Sequence, residues 1–186
     1  MVPVHTSVPA AFQFGVFQSA PHDRDMRFAD KILTLEQLSQ WRAQMRATGK
    51  RLVVTNGCFD LLHRGHVTYL ESARNLGDAL LLGLNADASV RELKGAQRPV
   101  NSEEDRATVV ASLECVSGVC IFPERTAEKF LAVAQPDIYA KGGDYTIDSL
   151  NQDERRVVEQ FGGKVIILPV VAGKSTTAIL EKISRL

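Results

Sequence analysis

The 186-residue sequence has little of several things on which function often rests, and each shortage removes a class of reading. It has no net charge, with 22 Lys and Arg against 22 Asp and Glu, so nothing draws the whole chain to a nucleic-acid backbone or an anionic membrane. Any basic site must be local. Only three cysteines occur, Cys58, Cys115 and Cys120. They are scattered, which suits reduced thiols in a cytoplasmic protein better than a disulfide framework. No C-x-x-C pair is present to organise a structural zinc, so His63-x-x-His66 with Cys58 or Asp60 is not read as a metal site. Apolar runs such as Ala79-Leu80-Leu81-Leu82-Gly83-Leu84 fall far short of the ~20 residues a membrane span needs. The early stretch from Val8 to Phe17 has no basic residue ahead of it and is interrupted by Pro9, Gln13 and Gly15, against the pattern of an export signal. No G-x-G-x-x-G follows the first strand, which argues against a dehydrogenase. Leu168 stands where a G-x-x-x-x-G-K phosphate loop needs its first glycine.

What is present is an alternation of short apolar runs with helical patterns. Residues 1–30 read as a flexible extension, and residues 31–186 as one domain of ordinary size. Thr34 and Gln37 form a capping box ahead of a covering helix that closes at Gly49. Strands are expected at Arg51–Thr55, Ala79–Leu84, Gly118–Phe122, Asp137–Ala140 and Lys164–Leu168. Between them lie helices from about Gly65 to Leu76, from Ser102 as cap to Glu114, from Ala127 to Ala134 with Thr126 as cap, and from Ser149 to Phe161. A last helix opens at Gly173-Lys174-Ser175-Thr176-Thr177. This order predicts right-handed βαβ units and a Rossmann-like, doubly wound parallel sheet of five strands with helices on both faces.

Polar residues gather where strands end. The turns after strands one, two, four and five carry His63 and His66, Asn85 and Asp87, Lys141 and Asp144, and Lys174, Ser175 and Thr176. In a parallel sheet those turns share one edge, so a single crevice can collect them. The turn Thr55-Asn56-Gly57-Cys58-Phe59-Asp60-Leu61-Leu62-His63-Arg64-Gly65-His66 passes from a strand to a helix, where free backbone N–H groups and the helix dipole attract phosphate. Gly65 lets a ligand approach closely. Singly, each of these features has a plainer reading. Ser175 is then only a helix cap, Lys141-Gly142-Gly143-Asp144-Tyr145 a glycine turn with solvated charges, and Arg106 a surface cation on an amphipathic helix.

Gly57-x-Phe59-Asp60-x-x-His63-x-Gly65-His66 resembles the signature of the cytidylyltransferase-like nucleotidyltransferases, from about Lys50 to the C-terminus. Within that superfamily, the Leu84–Val90 segment, Lys94-Gly95 with Arg98-Pro99, Glu104-Asp105-Arg106, the Lys141–Tyr145 turn and Gly173–Thr177 resemble the adenylyltransferases that make ADP-heptose. The resemblance implies transfer of AMP from ATP to D-glycero-D-manno-heptose 1-phosphate, with release of pyrophosphate. It implies that His63, His66 and Lys174 act on the phosphates. Gly57, Cys58, Phe59, Asp60, Gly65, Lys141, Gly142, Asp144, Tyr145, Ser175, Thr176 and Thr177 would line the nucleotide site. Asn85, Asp87, Lys94, Arg98 and Arg106 would meet the acceptor, with Arg106 supporting its phosphate. Mg²⁺ would bridge the triphosphate oxygens, with no protein metal cage. The same resemblance implies a cytoplasmic homodimer serving envelope glycans, a stand-alone form without a fused sugar kinase, and a separate kinase and phosphatase upstream. A cytidylyltransferase for a polyol or amino-alcohol phosphate is the alternative within the fold, and a non-catalytic nucleotide-binding module the alternative outside it.

Overall fold

The computed structural model describes residues 27–143, 146–169, 171 and 173–186. Five parallel strands form one sheet in the order β3-β2-β1-β4-β5: β1 (Leu52–Gly57), β2 (Ala79–Asn85), β3 (Gly118–Phe122), β4 (Ile138–Gly142) and β5 (Lys164–Leu168). The expected strands are all present, and the fold is the doubly wound α/β sandwich that the alternation predicts. Helices α1 (Leu35–Ala47), α2 (Arg64–Arg74), α3 (Asp87–Lys94), α4 (Glu103–Ala111), α5 (Glu128–Ala134), α6 (Gln152–Gln160) and α7 (Thr176–Ile183) complete it. A 3-10 turn, Phe28–Lys31, leads in along the β3 edge, where Ile32 bridges to Val119.

Strand alternation divides the core between the two faces. Val53, Leu80, Leu82, Leu84 and Ala140 point to one side and pack with α2 and α4 through Leu70, Ala73, Ala107 and Val110. Leu52, Val54, Leu81 and Tyr139 point to the other and pack with α1, α5 and α6 through Leu38, Phe130, Leu131 and Val158. The capping box of α1 is formed as expected, Thr34 accepting from the Gln37 N–H while the Gln37 side chain accepts from the Thr34 N–H. The expected Thr126 cap is not. Ala127 precedes α5, and its N–H donates to Glu154 Oε1 at 2.9 Å, so a carboxylate from α6 serves that helix end instead.

The central strand is treated differently by its two neighbours. β1 pairs with β2 through six residue pairs, Leu52 with Ala79 to Gly57 with Leu84. With β4 it pairs only through Val53–Ile138 and Val54–Tyr139. Beyond those two, side chains take over the backbone's hydrogen bonds. The Tyr69 hydroxyl donates to Ala140 O at 2.9 Å and lies 2.7 Å from Thr55 Oγ1, fully inside the protein. Its ring occupies the space a Cβ on Gly142 would need, 2.7 Å away. On the opposite face the Tyr139 hydroxyl and the Lys141 ammonium donate to Asn56 Oδ1 at 2.6 and 3.0 Å. The strands therefore part at their carboxyl ends, where chain order reverses across the sheet and ligands of such folds bind. Tyr69→Phe removes a buried hydroxyl with two partners, and a loss of about 1–3 kcal/mol in unfolding free energy is expected, read by urea denaturation.

Candidate active site

A cleft of about 700 Å³ opens over the carboxyl ends of the strands. It is lined by Gly57, Cys58, Phe59, Asp60, His63, Gly65, His66, Asn85, Lys94, Arg98, Lys141, Gly142, Lys174, Ser175, Thr176 and Thr177. Thus most of the residues expected to form a site are brought together on one edge. Asp87 and Arg106 do not line the cleft, and Asp144 and Tyr145 lie outside the described residues.

The motif turn is shaped by its small residues. Phe59 adopts a left-handed backbone, φ 43°, and folds its ring back over Gly57, where a Cβ would come within 2.9 Å of it. A Cβ on Gly65 would stand 3.0 Å from the His63 ring and 3.2 Å from Lys174 Cβ, so the glycine lets β1's turn and α7's start close on each other. His63 and His66 stack, ring centroids 3.8 Å apart and planes 20° from parallel, and Phe59 tilts against His66 at 5.3 Å. His63 precedes α2 without making a side-chain cap; the His66 N–H turns back to His63 O at 2.9 Å, while the N–H groups of Arg64 and Gly65 have no partner among the described residues and stay open to an anion.

Electrostatics leaves both imidazoles neutral. Burial first, and then the neighbouring His63, hold His66 down to about 4. His63 is also lowered, by burial and then by Lys174. Their buried Nδ1 atoms have no hydrogen-bond partner among the described residues. Across the cleft, burial lowers the Lys141 ammonium, opposed by Glu154 at 3.5 Å. The Cys58 thiol is raised by burial, with Lys94 the largest opposing charge.

Several side chains have other work than expected. Arg106 is wholly buried. It donates to Asn101 O, Cys58 O, Asn85 O and Asp87 Oδ1 at 3.1, 2.6, 2.9 and 2.7 Å. That corrects the expectation of a substrate-phosphate contact and of a surface cation alike: the guanidinium is spent on tying the ends of β1 and β2 to α3. Asp87 is its ion partner, while its own N–H donates to Glu103 Oε2 at 2.6 Å. Asp60 is likewise committed, accepting from Arg98 Nε at 2.6 Å and from the N–H groups of Val100 and Asn101 at 2.8 and 3.1 Å. Its carboxylate anchors the loop after α3, and Arg98 is engaged in doing so. Of the three hydroxyls opening α7, Ser175 caps the helix by accepting from Ala178 N–H at 3.1 Å. Thr176 donates to Leu61 O at 3.2 Å. Ser175 is thus a cap, as its plainer reading has it, and lines the cleft as well, with Thr177 the one of the three outside these bonds.

The cleft also includes residues that were not expected. Asn56, Arg125, Thr126, Asn151 and Glu154 line it. Glu154 is buried, shares the Tyr139 hydroxyl proton with Asn56, its Oε2 lying 2.8 Å from that hydroxyl, and joins the floor of the cleft to α5. Asn56 belongs to the motif turn and was within reach of sequence reading. Nothing local marks Glu154 among the charges of α6.

A parallel sheet opening at its reversal point over imidazoles, lysines and free helix N–H groups defines a protein of the phosphate-handling, nucleotide-binding class. A model of the cytidylyltransferase-like family matches residues 54–182, and the chain belongs to that family of nucleotidyltransferase enzymes. It is 50% identical over 153 residues to the bifunctional protein HldE of Trichlorobacter lovleyi, covering 82% of this chain and 31% of that protein. To HldE of Geobacter sulfurreducens it is 49% identical over the same shares of each chain. This chain thus spans about a third of the length of these curated relatives. Among solved structures it is similar to the lipopolysaccharide core biosynthesis protein of Thermoplasma volcanium, at 27% identity and a TM-score of 0.55, covering 66% of this chain and 98% of that one. The pantoate-beta-alanine ligase of Francisella tularensis, 13% identical with a TM-score of 0.51 and covering 83% and 78%, shares the fold. No helix among the described residues is long and apolar enough to cross a membrane.

Two outcomes are expected. Arg106→Met leaves three carbonyls and Asp87 without their donor, and a loss of about 3–5 kcal/mol is expected in thermal or chemical unfolding. The second concerns acid. A histidine held to about 4 in the folded state takes up its proton near 6.5 when unfolded. Between those values the unfolded state binds more protons, so stability falls as pH falls through the window. His66→Gln should flatten that slope in denaturation midpoints measured from pH 7 to pH 4.

Proposed function

We propose that the chain transfers AMP from ATP to D-glycero-D-manno-heptose 1-phosphate, forming ADP-heptose and pyrophosphate. The observation that carries the reading is the stacked His63–His66 pair held against Lys174 in the opening between β1 and β4. The similarity to a lipopolysaccharide core biosynthesis protein and to HldE proteins supports the sugar. The step is a single in-line displacement. An oxygen of the sugar phosphate attacks the α-phosphorus, the new P–O bond forms, and the bond from the α-phosphorus to the bridging oxygen of pyrophosphate breaks. Negative charge grows on the equatorial oxygens, so rate comes from positioning and from donors already in place. His63 and His66 donate N–H groups to the α-phosphate, Lys174 neutralises the leaving phosphates, and the open N–H groups of α2 add their dipoles.

Among the described residues no group of three or more His, Cys, Asp or Glu is placed to hold a metal ion. Asp60 and Glu154, the cleft's carboxylates, are already engaged. Mg²⁺ would come with ATP and neutralise charge on the triphosphate, with Lys174 and the imidazoles meeting the phosphate oxygens. The enzyme works in the cytoplasm, as a homodimer, on a sugar phosphate supplied by a kinase and a phosphatase, and its product feeds envelope glycans.

The family's description favours a second reading, cytidylyl transfer to a polyol or amino-alcohol phosphate. Incubation with ATP or CTP and each acceptor, followed by mass spectrometry of the product, separates the two. ADP-heptose is expected from ATP; a CDP-linked product alone would overturn the reading. In the same assay His66→Ala is expected to lower kcat by roughly a hundredfold or more, the scale of losing one donor to a developing oxyanion. Near wild-type turnover would remove His66 from the chemistry.

A further inference from the structure

With Arg106 buried, the acceptor's phosphate lacks the cation that sequence reading gave it. Five Lys or Arg side chains line the cleft among the described residues: Lys94, Arg98, Arg125, Lys141 and Lys174. Arg98 is held by Asp60 at 2.6 Å, and Lys141 faces Glu154. Lys174 lies on the β5 side of the motif turn, where its charge acts on His63. Lys94 acts on Cys58 at the motif turn itself. Arg125 stands apart from all four. It lies between β3 and α5, two residues before Ala127, whose N–H donates to Glu154 of α6, and so on the face of the sheet that carries α5 and α6, opposite α2; no hydrogen bond or ion pair engages it among the described residues.

We infer that Arg125 binds the phosphate of the acceptor, holding it in line with the α-phosphorus from the side of the cleft where α5 and α6 begin. This rests on the reading of a phosphorylated acceptor given above. Arg125 lines the same cleft as His63, His66 and Lys174, so a phosphate held there meets an arginine from the α5 and α6 face, with the triphosphate secured by the two histidines at the start of α2 on the opposite face and by Lys174. Two cations on opposite sides of the α-phosphorus separate the incoming dianion from the leaving pyrophosphate, which otherwise repel each other. A planar guanidinium suits the task, because it meets two phosphate oxygens at once and so fixes orientation as well as charge. Thr126 and Asn151, which line the same part of the cleft, offer hydroxyl and amide groups to a polyhydroxylated body attached to that phosphate.

The test is steady-state kinetics of Arg125→Gln and Arg125→Lys with ATP, Mg²⁺ and the sugar 1-phosphate, following pyrophosphate. Arg125→Gln should raise KM for the sugar phosphate roughly tenfold to a hundredfold, the range for a lost charge-assisted hydrogen bond. KM for ATP and the thermal midpoint should stay close to wild type, and Arg125→Lys should recover part of the loss. An unchanged sugar-phosphate KM, or a rise confined to ATP, overturns the inference. If the wild-type protein turns over another phosphorylated acceptor and not the heptose, the proposed function fails, and the same comparison on that acceptor decides Arg125. If titration calorimetry finds no sugar phosphate, polyol phosphate or amino-alcohol phosphate binding to the wild-type protein saturated with a non-hydrolysable ATP analogue, the inference falls as well.

Discussion

Everything in this molecule turns on the early parting of β1 from β4. A parallel ladder of two residue pairs is short for the centre of a sheet, and it survives because Tyr69, Asn56, Tyr139 and Lys141 supply hydrogen bonds where the backbone no longer does. The opening so produced is what exposes the motif turn, the start of α2 and the start of α7 to one volume. Had the ladder run on, Gly57 would face Gly142 across an ordinary strand spacing, with no space between them for a ligand.

A second set of constraints keeps that opening in shape. Arg106 and Asp60 are buried ions whose partners come from segments far apart in the chain, and each is fully matched. Burying charge is costly unless every donor and acceptor is met. Once they are met, the loops have few alternative positions. The arrangement holds the carboxyl ends of β1 and β2 and the loop before α4 as one rim, against which substrates can be oriented without first ordering it.

Much of the fold was legible because strand order and helix caps are local signals. The five apolar runs, the capping box at Thr34 and the helix start at Ser175 all depend on residues within a few positions of one another. What escaped depends on distance. Arg106 sits on a helix whose pattern suits a surface cation, and only the convergence of carbonyls from Cys58, Asn85 and Asn101 draws it inside. Glu154 lies among several charges of α6, and the turn inward is decided by Ala127 and Tyr139 on other elements. Arg125 follows β3, the one strand whose end was not counted among the polar turns, and nothing within a few positions of it marks it as facing the cleft. The gathering of His63, His66, Lys141 and Lys174 was foreseeable, since parallel topology alone puts strand ends on one edge.

The stacked imidazoles have one more consequence. Two rings 3.8 Å apart cannot both carry charge at little cost, and burial disfavours the charged form of each. In the proposed reaction an arriving triphosphate makes a proton on the pair favourable, and the departure of pyrophosphate makes it unfavourable again. Part of the pocket's positive charge is then taken from the solvent, beside the fixed charge of Lys174, and returned once the anion has left. Nucleotide binding would carry a proton with it, so its affinity would rise as pH falls.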